Sequence, residues 1–535
     1  MKLRVVTRKW LTGCSVAACL LVPVVAQVRA LAADAAKSAA LASPPASQWA
    51  HVGPDGKLAY RTLPTGDRIM DFSWAGYMGA GVAIPTVPVR VTVGPSGADD
   101  TAAIQAALDA ASRLEPVNGM RGAVLLKRGA YECRSALYLR TSGVVLRGSG
   151  SGANGTALRM TGTPHVCISL SGSWHVDRTG RAVPIVDTYV PSGANSFRLS
   201  DASGFSPGDA VLVNRPITPA WVHFMRMDGL VRGGRKETWL SESGWIESER
   251  TIKAITGDGI TVDVPLSDSF NAVYLDPPGA SLVKCLGSGR ISQVGVEQLR
   301  IVAPPQAVEI RERHHQGIRM YGVCDGWLRD IAIEDTVNSV GIGSGCCRVT
   351  VEAVSVRHSV ATKGAAKPAD FSAGGSQILF NRCEATGNNL FYFVTGARVT
   401  GPNVLLNCTF HGNGHIQPHQ RWATGLLVDG CQVPDSGIDF MNRGEMGSGH
   451  GWTIGWAVAW NCVARSYVIQ QPPGAMNWAI GCLGARAQSG MPFGHEPKLP
   501  EGTFDSHGTP VAPASLYLAQ LRDRLGPEAV KNIGY

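Results

Sequence analysis

An all-β solenoid is the fold class that the sequence predicts, on three observations. The 535 residues include 64 Gly and 32 Pro with only 17% charged residues, a composition of short strands and tight turns rather than of helices rich in Ala, Glu and Lys. Cysteine recurs in one local setting: "NRCEATGNN" at Cys383, "LNCTFHGNG" at Cys408, "DGCQVPDSG" at Cys431, "WNCVARSYV" at Cys462 and "IGCLGA" at Cys482, separated by 25, 23, 31 and 20 residues. A period in the twenties marks turns of chain stacked one on the last. Upstream, "ISQVGVEQLRIVAP", "GVCDGWLRDIAIEDT" and "GCCRVTVEAVSVRHS" alternate apolar with polar residues, the strand period.

The elements follow in order. Lys2, Arg4, Arg8 and Lys9 precede an apolar run from Leu11 to Val25 and a small-x-small site at Ala30-Leu31-Ala32, so residues 1–32 are expected to be an export signal. Cys14 and Cys19 sit in lipoprotein-like boxes, but the apolar run continues past Cys19, which makes lipidation the weaker reading. Residues 33–50 are an Ala/Ser/Pro linker. In 51–182, "ADDTAAIQAALDAASRL" carries an acidic cap and apolar Ile104, Ala107, Leu108 and Ala111 at helix spacing, as expected of a helix covering the open end of a solenoid. "GAVLLKRGAYECRSALYLRTSGVVLRGSG" starts the coils. Residues 183–271 break the pattern with hairpin-like groups around a Trp-rich stretch and are read as a β-rich insertion. Residues 272–498 form the main solenoid, and 499–535 a tail with the amphipathic helix "SLYLAQLRDRLG".

Without residues 1–32 the chain keeps 44 basic against 41 acidic residues, so the formal charge falls from +8 to +3. No sustained Lys/Arg stripe suggests a nucleic-acid partner. No later uncharged apolar run reaches the ~18 residues that cross a bilayer. The protein is expected to be secreted or periplasmic. Eleven cysteines remain after the signal, and the five of the ladder are read as an inward-facing stack of small apolar side chains. Cys346 and Cys347 cannot both face inward on one strand, and the pattern does not explain them.

"DFSWAGY", the "ADDTAAIQAALDAA" helix, "GAVLLKRGAY", "VVLRGSG" and the ladder resemble the pectate-lyase-like superfamily of right-handed parallel β-helix proteins. "GPNVLLNCTFHGNG…PHQRWATG…NRGEMGSGHGWTIGWAVAWNC" looks like a poorly characterised bacterial and fungal pectate-lyase-related subgroup within it. The resemblance implies that fold, with the capping helix and insertion as additions. Its functional implication is looser, because the superfamily holds lyases, hydrolases, epimerases and binding proteins.

Counting from the ladder locates a candidate site. His419 lies eleven residues after Cys408 and Asn442 eleven after Cys431, while Trp422 matches Glu445 at fourteen. Equal coils would put His419, Arg421, Asn442, Arg443 and Glu445 in one patch. His450 and Trp452 join from the segment that lengthens the next coil, where bulging loops carry function. His415, Asp439, His314 and His315 are placed at the edges, with Arg311 and Arg313 beside the last two. Trp456 and Trp460 alternate with small apolar residues and read as core.

Arginine pairs with carboxylates and tryptophan offers a flat apolar face, which suits an acidic polysaccharide or oligosaccharide. β-Elimination needs a carboxylate neutraliser (Arg443, Asn442), a base (His419, whose ordinary pKa lies near working pH) and an acid (His450 or a tyrosine). The alternative, hydrolysis, needs two carboxyl groups, here Asp439 and Glu445. "GSGHGWTIG" resembles the glycine-histidine-glycine signature of polygalacturonases, although their paired aspartates are missing before it. A glycan-binding β-helix without catalysis is the third reading. No closed zinc spacing or calcium loop is present; a calcium bridge to substrate carboxylates is what the resemblance leaves open.

Overall fold

The computed structural model describes residues 44–488 and 499–535, so the expected signal and most of the linker lie outside the described residues. Among these, 27 strands join in one continuous parallel sheet. Successive coils pair strand on strand: Leu379, Val404 and Leu427 lie over one another in Ser376–Asn381, Thr400–Leu406 and Ala423–Asp429, followed by Val458 in Ala457–Trp460. The chain is a parallel β-helix, with a capping helix and a β insertion.

Alternation fixes what faces inward. Ile378, Phe380, Leu405, Leu426, Val428 and Ala459 fill the bore, and the ladder Cys383, Cys408, Cys431, Cys462 and Cys482 lies there too, each fully buried. Burial raises the thiols of Cys383, Cys431 and Cys482 well above their ordinary pKa, so these sulfurs serve as small apolar filling. The residue before each ladder cysteine turns the corner with φ between 48° and 65°, and four of the five are Asn or Gly. That is the left-handed region these two residues tolerate best. At Gly430 a Cβ would also stand 2.3 Å from Asn407 Oδ1 of the previous coil. The Asn/Gly-Cys dipeptides are therefore corners.

The Cys346-Cys347 pair is explained by the same alternation. Cys346 faces the bore, while Cys347 bonds Cys324, its rung neighbour in the preceding coil.

Helix Thr101–Ser112 buries Ile104, Ala107, Leu108 and Ala111 against the first coils. Its acidic start works differently from a simple cap. Asp99 accepts from Thr101 N and Oγ1, and Asp100 accepts from Ser96 N and Glu132 N, tying the helix to the chain around it.

A second apolar cluster lies outside the bore. Leu379, Val404, Leu427, Val458 and Trp478 point outward from the sheet and meet the tail helix Leu516–Leu525 through Leu516, Tyr517 and Leu521. The insertion packs on the same cluster. Its seven-stranded antiparallel sheet runs from His175 to Ser288, wider than the 183–271 read from sequence. Arg250, 3% exposed, clamps it to the β-helix by donating to Gly401 O, and Ser267 Oγ meets Thr424 Oγ1 at 2.8 Å.

Candidate active site

Coil register decides which side chains meet. Thr409 pairs with Gln432, a separation of 23, but Ile416 pairs with Ile438, a separation of 22. His419 is thus one residue out of step with Asn442, and a one-residue slip turns a side chain to the other face. Asn442 is 2% exposed; its Oδ1 accepts from Gly444 N at 2.7 Å and its own N–H donates to Gln470 Oε1. It shapes the loop and is not a carboxylate neutraliser.

Arg443 does meet His419, donating from Nη1 to the His419 carbonyl at 3.1 Å, with its guanidinium 5.4 Å from the Phe391 ring. The loop from Arg443 then doubles back, with Arg443 N donating to Gly451 O. This return brings the His450 ring to 4.7 Å from that of His419. Gly447 makes the return possible: its φ is +65°, and a Cβ there would stand 2.0 Å from His450 Nε2.

A groove of about 1090 Å³ opens over the histidine pair. Arg232 and Leu230 of the insertion form one wall, Arg311 and Lys367 come from earlier coils, and Phe391, Arg443 and Glu445 line it with the two histidines. Among the described lining residues four side chains are basic and one, Glu445, is acidic. Arg232 also donates to the Gly447 carbonyl, joining the insertion to the site's loop.

Both imidazoles are held neutral in this setting. Burial, then Arg443 and Arg421, pushes His419 down to about 4. Burial, then Arg443, His419 and two further arginines, pushes His450 down to about 3. Burial also lowers the Lys367 ammonium, and losing a proton to a departing oxygen becomes easier as that pKa falls.

Several residues expected at the site lie elsewhere. Arg421 and Trp422 have φ of 52° and 58°, two left-handed residues in succession. Arg421 consequently points at the return loop, donating to Ser448 O and Oγ at 2.6 and 2.8 Å, and does not line the groove, though its charge acts on both histidines. Trp422 is 2% exposed and donates to Asp268 Oδ2 at 2.8 Å; Trp452, 3% exposed, donates to Met225 O. They anchor the insertion and do not line the histidine groove.

His415 and Asp439 form a buried contact of 2.7 Å, with Gln417 donating to the same carboxylate at 2.8 Å; neither His415 nor Asp439 lines the groove. His315 packs edge-on against His165 at 5.0 Å, and His314 Nδ1 is 2.8 Å from Glu312 O, so this segment's contribution to the groove is Arg311. His450 is neutral and no tyrosine lines the groove among the described residues, so neither fills the acid role first assigned to them. Arg232, Lys367 and Phe391 are the lining residues that sequence reasoning missed. Only Arg232 had a signal there, its place in the basic cluster "VRGGRK".

Calcium does not fit this lining. Among the described residues no group of three or more His, Cys, Asp or Glu side chains is placed to hold a metal ion, and the groove offers one carboxylate among four cations. No helix among the described residues is long and apolar enough to cross a membrane.

Fold and groove together define a parallel β-helix protein with a cationic, histidine-centred cleft. No family model and no curated protein matches the sequence. Solved structures do match. The tailspike of Acinetobacter baumannii bacteriophage AP22 in complex with A. baumannii capsular saccharide is 10% identical, covering 76% of this chain and 71% of its own, with a TM-score of 0.30. The AlgE4 A-module of the Azotobacter vinelandii mannuronan C-5 epimerase is 12% identical over 78% and 89%, with a TM-score of 0.27. A mutant tailspike of E. coli bacteriophage HK620 in complex with pentasaccharide is 8% identical over 83% and 62%, with a TM-score of 0.39.

Proposed function

We propose that this chain is an exported enzyme that cleaves an acidic, uronate-containing polysaccharide by β-elimination. The observation that carries the reading is a pair of neutral histidines under a groove lined by four cations and one carboxylate. Paired-carboxyl hydrolysis needs a second acid, and Asp439, the sequence's candidate, is buried against His415 and Gln417.

In this reading Arg443 and Arg311 hold the uronate carboxylate and draw charge from the carbon beside it. His419, neutral and half-buried, takes the proton from that carbon. The electron pair left behind forms the carbon–carbon double bond as the bond to the glycosidic oxygen breaks, and Lys367 supplies that oxygen's proton. A bound carboxylate offsets the arginine charges that depress His419, so substrate itself strengthens the base.

A panel of uronate polymers, assayed by the ultraviolet absorbance of the unsaturated product, tests this. Wild type should release it from one polymer class and leave the carboxyl-reduced polymer intact. His419→Ala should lose about 100- to 10,000-fold in turnover with an unchanged melting temperature. New reducing ends without unsaturation would establish hydrolysis instead, and binding with neither product would make the groove a glycan-binding surface.

A further inference from the structure

A second cavity, of about 260 Å³, lies between the insertion and the outer face of the β-helix. Buried Trp221, Trp422 and Trp456 line it, and the stacked pair Phe224 and Tyr274, with ring centroids 4.0 Å apart, stands with them. Exposed Thr65 and Gly474 also belong to its lining, so the cavity opens to solvent.

Arg215 lines the same cavity at 4% exposure. Its Nε lies 3.1 Å from Asp268 Oδ2 and donates to Ser269 O, and its guanidinium lies 4.0 Å from the Trp221 ring centroid. Its Nη1 has no acceptor among the described residues. An unpaired guanidinium N–H is costly to bury, and Arg215 is one of the cavity's own lining residues.

Charge selects the class of ligand. Asp268 already neutralises Arg215, and Asp67, 1% exposed, adds a second carboxylate to the lining. A ligand carboxylate would meet net negative charge, and a ligand ammonium, which accepts no hydrogen bond, would offer nothing to the Arg215 guanidinium. A neutral ring with hydroxyl groups fits both: its apolar face on the indoles, its hydroxyls toward the Arg215–Asp268 pair. We propose that this cavity binds one neutral pyranose residue.

Phe224 and Pro473 line both this cavity and a shallower depression, and Gly229 and Leu230 line both that depression and the histidine groove. The sugar's source is therefore either a free monosaccharide or a neutral residue of a longer chain running along this face.

Titration of the whole protein with neutral hexoses, their short oligomers and the matching uronates, followed by tryptophan fluorescence and calorimetry, tests the site without any turnover. Saturable binding of a neutral sugar, at least about tenfold tighter than its uronate, is expected; tighter binding of oligomers identifies the chain as source. Thr65→Trp, at the mouth, should abolish the signal, and Arg215→Gln should weaken binding about tenfold. Should Arg215→Gln fail to fold, Tyr274→Ala must weaken binding severalfold. His419→Ala must leave it intact, which separates this site from the elimination chemistry. No saturation with any neutral sugar, preference for uronates, or binding indifferent to Thr65→Trp overturns the proposal and leaves the cavity to water.

Discussion

At the scale of single residues, Gly447 shows how little room the candidate site leaves. Its left-handed φ and the 2.0 Å approach that a Cβ would make to His450 Nε2 mean that Gly447→Ala must displace the imidazole or the loop. Gly447 itself and its neighbour Ser448 are exposed, so turnover should fall severalfold or more while the melting temperature drops by no more than a 1–2 kcal/mol backbone penalty implies, roughly. Parallel kinetics and thermal melts check this; full activity in Gly447→Ala would remove His450 from the site. Counting from the cysteines brought His419, Arg443 and Glu445 together because their coils are of similar length, and His450 came from the segment that lengthens the next coil; all four line the groove. The same count misplaced Asn442, since a one-residue change of register is invisible in spacing. It misplaced Trp422 because consecutive left-handed residues leave no sequence mark when they are Arg and Trp.

At the scale of elements, the corner before each ladder cysteine is where coil geometry is set. Gly430→Val would put a β-branched side chain at φ +64° with its Cβ 2.3 Å from Asn407 Oδ1. We expect a loss of about 1–3 kcal/mol, read as an earlier denaturant midpoint; an unchanged midpoint would show that the corner relaxes freely. The ladder was legible because stacking repeats the same environment every coil. The bridge between Cys324 and Cys347 was not read, yet its separation of 23 residues is itself a coil length. The walls contributed by Arg232 and Lys367 were hidden for a different reason: they reach the groove from segments tens to hundreds of residues from His419, and no period links an insertion to the coil it covers.

At the scale of the whole molecule, three histidines, two buried and one half-buried, tie stability to acidity. His315 and His419 are held at about 4 and His450 at about 3, each chiefly by burial, against an ordinary 6.5. Between those values the unfolded chain binds protons that the folded chain refuses at these three sites, so their contribution to stability is fully present above about 6.5 and is lost as pH falls toward 4. Asp429, raised by burial to about 7, works in the opposite sense, so the histidine share is read as a difference: over that window the melting temperature of His450→Gln, which cannot titrate, should fall less than that of wild type. Parallel curves for variant and wild type would contradict the assignment of a neutral buried His450.

The groove takes its walls from Leu230 and Arg232, then Arg311, then Lys367 and Phe391, and only afterwards its histidines, His419 and His450. A polypeptide emerging in order from its N-terminus therefore builds the vessel long before the reagents. A chain that ended short of His450 would carry Leu230, Arg232, Arg311, Lys367 and Phe391 and lack half of the imidazole pair, so the last part made is the one that completes the set.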